Sequence, residues 1–407
     1  MAGFLKVRKG HLTKKTKSLH PQPPPIVAEI NRLAETWQTR LGLWKPSRSN
    51  RTFTLGSDCA GYGSELLALR LLGLQARVKL LMLCEDSPSK RALHKVMVEK
   101  CGFNDSECKC FDDIFLRRND DEETPVVDLY VAGYPCPAFS RAGKRKGCGD
   151  KRGVITLQGL HYVASKRPRA LLLEQVSALM DKTHRHLWQF LLKILRLLEY
   201  EVVYSKLNTR YMGIPQSRER LYVLAVCRES LRHQLTVPEN RSSHPDLHTF
   251  LDKDIVGSEV LPLPKYEHIL GQDLWTKGYV VDVQASEKFQ AVLHNAAPCL
   301  TKTRCKQNGF YCPKLRRRLT SMEIGKLQGL PKSIITAMLR ESKTSLPKRS
   351  FEEAVGDAMS VNVLQTMLRR LLHSAGLAML TSSKDWWLLC PSDKCYQLSD
   401  SLWDKHN

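Results

Sequence analysis

The sequence predicts a doubly wound α/β domain with a mostly parallel sheet, carrying a second, smaller domain. Three observations support this. Short β-rich runs alternate with stretches of helical apolar spacing from Thr52 to Cys227, the pattern of a parallel sheet with crossover helices. The first of these runs turns through Gly61 and Gly63 into a helix, the tight strand-to-helix corner of such folds. After Cys227 the periodicity breaks for about 90 residues, as a separately organised unit would.

The strand candidates are 53–57, 79–84, 126–132, 170–173, 201–204 and 221–226, and the helix candidates 64–72, 90–98 and 186–198. Gly213 and Pro215 interrupt the short link between the last two strands, which favours a hairpin there over a crossover helix. The expected divisions are a basic, proline-containing arm over 1–51, a catalytic unit over 52–228 and a small recognition unit over 229–355. A segment over 356–383 returns to the catalytic unit, and a tail with Trp386, Trp387 and Trp403 covers 384–407. The arm, with Lys6, Arg8, Lys9, Lys14, Lys15 and Lys17 ahead of Pro21, Pro23, Pro24 and Pro25, reads as mobile.

Composition narrows the function classes. In 407 residues, 42% hydrophobic content supports a sizeable core, and 23 Gly with 20 Pro exclude collagen-like and low-complexity chains. No apolar run approaches the ~18 residues of a membrane span, and the Lys-rich start lacks a secretory signal's apolar core, so the expectation is a soluble protein. A formal charge of +22 favours polyanions. The 13 Cys form no CxxC pair, and neither Cys101, Cys108 and Cys110 nor Cys299, Cys305 and Cys312 has zinc-finger spacing. They read as thiols of a reducing compartment, and no metal is expected.

Three places carry chemistry. The run Asp58, Cys59, Ala60, Gly61, Tyr62, Gly63 lacks the third glycine of a dinucleotide fingerprint, since Leu66 stands there, and lacks a Walker ending. Glu85 closes the second strand where a carboxylate accepts hydrogen bonds from ribose hydroxyls, so an adenosine-containing cofactor fits. Cys136, bracketed by Pro135 and Pro137, follows the third strand at the sheet's carboxyl edge. Arg141, Lys144, Arg145, Lys146, Lys151 and Arg152 follow it, able to favour a thiolate or to close over a phosphate backbone.

With these motifs in order, the chain resembles the cytosine-C5 DNA methyltransferases, which use S-adenosylmethionine and have a class I, Rossmann-like catalytic fold. The resemblance covers roughly residues 52–373. It runs through the glycine turn, Glu85, Asp113-Ile114, the Pro-Cys loop, Glu174-Gln175-Val176 and Gln216-Ser217-Arg218-Glu219-Arg220. After the variable region come Arg318-Leu319-Thr320 with Glu323, the 327–331 stretch and the 356–363 stretch that contains Asn362 and Val363.

The resemblance implies that Cys136 attacks C6 of a cytosine flipped out of a DNA duplex. Glu174 then holds or protonates N3, Arg218 reads the O2 edge and Arg220 supports the pocket. It implies cofactor contacts from Asp58 to Gly63 and from Glu85, Asp86, Asp113, Ile114, Pro135, Asn362 and Val363. DNA contacts are implied for Ser140, Arg141, Lys144, Arg145, Gln216, Arg316, Arg317 and Arg318. Cys59, Tyr134, Pro137, Gln175 and Asp357 depart from the family pattern, where Phe, Pro, Gln, Asn and Asn are usual.

The expected partner is double-stranded DNA, bound by a monomer without membrane association, in a nucleus if the source is eukaryotic and otherwise in the cytoplasm. A tRNA-methylating enzyme of the same fold shares the catalytic groups. That branch, however, carries Thr after Phe in the nucleophile loop and a Cys-Phe-Thr signature, whereas this chain has Phe139-Ser140 and no such signature. A catalytically silent DNA-binding relative is the other alternative, and the presence of Cys136, Glu174 and Arg218 speaks against it.

Overall fold

The computed structural model describes residues 25–40, 52–135, 151–240, 244–286 and 291–379. Cys136, Ser140, Arg141, Lys144 and Arg145 lie outside the described residues, as do most of the basic arm and the Trp-containing tail.

In chain order the first elements are α1 (Pro25–Arg40), β1 (Phe53–Asp58), α2 (Ser64–Leu71), β2 (Val78–Cys84), α3 (Pro88–Cys101), β3 (Lys109–Phe111) and β4 (Leu129–Gly133). There follow α4 (Lys151–Lys166), β5 (Ala170–Gln175), α5 (Arg185–Leu197), β6 (Tyr200–Asn208) and β7 (Glu219–Cys227). These seven strands form one sheet in the order β3-β2-β1-β4-β5-β7-β6. β1 pairs in parallel with β2 and β4, β2 with β3, and β4 with β5. β7 is antiparallel to both β5 and β6, so the expected hairpin is present and its second strand lies inside the sheet.

The central strands are covered on both faces, which is why β5 reads as an uninterrupted apolar run. On one face Leu66 of α2, Leu93 of α3 and Leu364 pack with Leu55, Val131 and Leu172. On the other, Ile30 of α1, Leu160 of α4 and Leu191 of α5 pack with Tyr130, Leu171 and Leu173. α3 begins at Ser87, whose Oγ accepts from the Lys90 amide, with Pro88 as first helical residue, and ends at Gly102 with φ 69°.

α1 lies within the arm read as mobile. Ile30, Leu33, Ala34 and Trp37 recur at helical spacing, and the Trp37 indole donates to Ala164 O at 2.7 Å, so the stripe docks on α4 and α5. β3, only three residues long, escaped the sequence pattern because its burial has no alternation to read.

The remaining elements are α6 (Pro264–Leu270), α7 (Asp273–Thr276), β8 (Tyr279–Asp282), β9 (Val292–His294), α8 (Lys302–Lys306), β10 (Phe310–Cys312), β11 (Arg317–Arg318), α9 (Ser321–Lys326), α10 (Lys332–Thr344), α11 (Ser350–Asp357) and α12 (Val361–Ser374). Four of them form an antiparallel sheet, β11-β10-β8-β9, over a small cluster of Leu263, Tyr266, Leu274, Val281 and Tyr311. α10 packs on α3, and α12 on α2, β5 and β7. Among the described residues no helix is long and apolar enough to cross a membrane.

Candidate active site

The turn after β1 passes through positive φ at Cys59 (52°), Gly61 (59°) and Gly63 (85°), a path on which glycine carries no Cβ penalty. It is tied to β2 by Ala60 N donating to Cys84 O at 3.2 Å. A Cβ added at Gly61 would meet nothing within 4 Å, so the backbone there faces open space. Tyr62 points the other way and is fully buried.

Glu85, directly after β2, accepts from Gly61 N at 2.8 Å and Ser87 N at 3.1 Å. Burial raises its carboxyl above the usual range, against the lowering pull of Lys90 and the two amides. Asp86 beside it is exposed, Ile114 is buried, and Asp113 accepts from Phe115 N at 2.8 Å. Cys59 is half-buried, and burial pushes its thiol well up, followed by the charges of Asp58 and Glu85.

Asp58 belongs to a different environment from its neighbours in the turn. Its carboxylate is fully buried, takes two hydrogen bonds from Arg117 and accepts from Tyr130 Oη at 2.5 Å. The guanidinium of Arg117 stacks over Tyr162 and donates to Asn119 at 2.8 Å. With those partners Asp58 supports the turn from below and has no free face for a cofactor.

The second half of the site comes from the neighbouring strand ends. β4 ends at Gly133, paired with Glu174 of β5, and β5 in turn pairs Glu174 with Tyr222 of β7. The backbone that leads through Tyr134 and Pro135 toward Cys136 therefore starts beside Glu174. Because β7 runs antiparallel, its first residues lie at this same edge. Arg220 Nε stands 3.1 Å from Glu174 Oε1, an ion pair in which Glu174 is 5% exposed. Burial raises the Glu174 carboxyl, Arg220 and then Arg218 lower it, and Asp357 raises it.

Arg218 sits deeper. It is buried and donates to Leu300 O at 2.7 Å and Gly356 O at 3.2 Å, which clamps the chain before α8 to the end of α11. Arg220, by contrast, spends one donor on Glu219 O at 2.7 Å and keeps Nε toward Glu174. The guanidinium paired with Glu174 is thus that of Arg220, while Arg218 lies behind it and its charge also reaches Glu174.

Asn362 and Val363 are fully buried; Asn362 donates to Met212 O at 2.8 Å while its Oδ1 has no hydrogen-bond partner among the described residues. Thr209 Oγ1 donates to Ser360 Oγ at 2.9 Å, which ties the 356–363 segment to the link before β7. Met359 packs where a Cβ on Gly133 would meet it at 3.4 Å, so that segment also touches the end of β4.

Three residues expected to contact DNA are engaged with protein partners. Gln216 is fully buried, donating to Leu327 O at 2.7 Å and Gln328 Oε1 at 2.8 Å and accepting from Leu300 N at 3.2 Å. No part of its amide is left for a base or phosphate. Arg317 holds Glu323 with two hydrogen bonds, at 2.7 and 2.9 Å, and donates to Asp252 O at 2.7 Å; Glu323 in turn completes the capping box of α9 with Thr320. Arg318 pairs with Glu259 at 3.3 Å and donates to Asn308 O at 2.8 Å. Arg316 and Lys314 are the exposed members of that basic run.

Sequence reasoning missed Arg117, whose partner lies 59 positions away, and Lys90, on the first turn of α3. Lys90 had a faint signal: a Ser-Pro helix start directly after Glu85 returns residue 90 to the side of that carboxylate.

Comparison with known proteins identifies the family. Residues 103–373 match the family described as C-5 cytosine-specific DNA methylase. The type II methyltransferase M1.ScrFI of Lactococcus lactis subsp. cremoris is 29% identical over 231 residues, 54% of this chain and 58% of that protein. M.SsoII of Shigella sonnei is 26% identical over 277 residues, 65% of this chain and 69% of its own length. The chain therefore spans little more than half of the first of these relatives. In fold it is similar to the Entamoeba histolytica methyltransferase EhMeth, with TM-score 0.56, 15% identity and coverage of 79% of this chain and 98% of that one. It is similar also to a Spodoptera frugiperda DNMT2 variant, with TM-score 0.53, 16% identity and coverage of 79% and 100%. The family match takes in the end of β4, Glu174, both arginines and the 356–363 segment, and by it the chain belongs to the C-5 cytosine-specific DNA methylase family.

Proposed function

We propose that this chain transfers a methyl group from S-adenosylmethionine to C5 of a cytosine flipped out of double-stranded DNA, with Cys136 as nucleophile. The observation that carries the reading is the buried Glu174–Arg220 pair beside the strand end that leads into Pro135.

The residues present fit the cofactor. Open space over Gly61 admits a ligand against the backbone, and Glu85 stands where ribose hydroxyls would donate to it. Ile114 and Pro135 would flank the adenine, with Asp86 nearby and Cys59 where the family pattern has Phe. Bound there, S-adenosylmethionine would supply an electrophilic methyl.

The chain's residues act on the base. Attack of the Cys136 thiolate on C6 saturates the 5,6 bond and sends negative charge toward N3 and O2. Glu174, whose carboxyl burial raises above its ordinary range, is placed to hold N3 as negative charge arrives there, while Arg220 places positive charge beside the same edge. C5 then takes the methyl. Loss of the C5 proton to solvent then re-forms the 5,6 double bond as the C6–sulfur bond breaks, and the expelled Cys136 thiolate restores the enzyme. The cytosine must leave the stack, because neither face is open to a thiol within a duplex.

The test is methyl incorporation from labelled S-adenosylmethionine into duplex DNA of varied sequence and, in parallel, into tRNA. Incorporation into DNA that Cys136→Ala abolishes, with trapping of a covalent adduct on 5-fluorocytosine DNA, supports the reading. Methylation of tRNA alone would overturn the substrate, and undiminished turnover by Cys136→Ala would overturn the nucleophile.

A further inference from the structure

Lys90 and Asp357 meet across the cofactor side of the site. Lys90 Nζ lies 2.7 Å from Asp357 Oδ2 and 3.9 Å from Glu85 Oε1, with the lysine side chain 13% exposed. Asp357 is the last residue of α11, where the helix dipole disfavours an anion, so a carboxylate there calls for a cation. Lys90 answers that need: although the Asp357 side chain is 44% exposed, the lysine beside it holds the carboxyl below its usual range.

The pair also stands between the two halves of the site. On one side it reaches Glu85, which binds the Gly61 amide; on the other, Asp357 adjoins the Gly356 carbonyl held by Arg218, and its charge reaches Glu174. A methyl donor whose ribose lies at Glu85 and whose methyl faces a base at Glu174 has its sulfur between those two points.

We propose that Lys90 and Asp357 form a charge-neutral strap at the cofactor site, and that their balance sets the preference between the cationic sulfonium cofactor and its neutral thioether product. This rests on the cofactor assignment above. The two ligands differ by one methyl and one positive charge, and a neutral strap favours neither on charge. Removing Lys90 leaves carboxylates that favour the sulfonium; removing the Asp357 charge leaves an ammonium that favours the thioether and retains product.

Calorimetry with S-adenosylmethionine and S-adenosylhomocysteine on Lys90→Met, Asp357→Asn and the double variant tests this. The expected ratio of thioether Kd to sulfonium Kd rises about tenfold in Lys90→Met, falls about tenfold in Asp357→Asn and returns to within about twofold of wild type in the double variant. A purely structural loss weakens both ligands together and leaves the ratio unmoved. Unchanged ratios in both single variants, or a double variant that fails to return, would overturn the strap while wild-type binding upholds the cofactor assignment. Wild type binding neither ligand would overturn that assignment itself.

Discussion

Asp58 and Arg117 form a two-point ion pair with both side chains at 0% exposure, sealed beneath the turn that leads β1 into α2. Removing one partner leaves the other charged and dry. Arg117→Met should lower unfolding stability by about 3 to 5 kcal/mol, whereas the paired replacement Asp58→Asn with Arg117→Met should recover much of that loss. Urea denaturation of the two variants beside wild type checks it, and equal losses in the single and double variants would contradict the pairing.

The two arginines of the 216–220 motif should separate in their effects. Arg220→Ala is expected to reduce kcat by about 100-fold or more, a loss larger than its effect on melting temperature, because it faces Glu174 while remaining partly accessible. Arg218→Ala removes two buried hydrogen bonds from a charged group and should destabilise by about 2 to 4 kcal/mol. Single-turnover kinetics beside thermal melts distinguish them, and identical profiles would reject the assignment.

His94 on α3 supplies a pH signature. Burial lowers it from an ordinary 6.5 to about 4, and its ring lies 3.0 Å from where a Cβ on Gly63 would sit. The unfolded chain binds this proton below 6.5 and the folded chain only near 4. Its stabilising contribution is therefore complete above pH 6.5 and is lost as pH falls toward 4, by roughly 3 kcal/mol at most. His94→Gln should flatten the stability-versus-pH curve in that window, and an unaltered slope would show that the ring is not the titrating group.

Exposure separates the basic run near β11. Lys314→Ala and Arg316→Ala should each reduce the salt dependence of DNA binding, with the log-log slope falling by about 0.9 per lost phosphate contact. Arg317→Ala should leave that slope alone and instead loosen α9, whose capping Glu323 it holds. Titrations at several salt concentrations together with amide exchange of α9 test both halves.

Local signals carried the sequence reading a long way. The glycine turn, Glu85 after β2 and Glu174 at the end of β5 each lie within a few residues of the strand that positions them. The hairpin was legible from Gly213 and Pro215. What escaped depends on partners distant in the chain. Nothing near Gln216 shows that Gln328 and Leu300 will enclose it, and nothing near Arg317 distinguishes a phosphate contact from a grip on Glu323. Residue type reports the chemistry available, and only packing decides whether that chemistry faces inward or outward. α1 was missed because its charged flanks and neighbouring prolines masked a short apolar stripe.

α12 and the residues just after it close the sheet that began at β1. Gln365 Nε2 donates to Leu71 O at 3.4 Å, and Arg77 Nη2 donates to Leu377 O at 2.9 Å across 300 positions of sequence. During synthesis the strands and most of the helices leave the ribosome before α12, which packs on α2, β5 and β7, and the body cannot close there until nearly the last described residue has emerged. So late a closure leaves apolar surface uncovered on the growing chain, a hazard of aggregation that loss of α12 would make permanent.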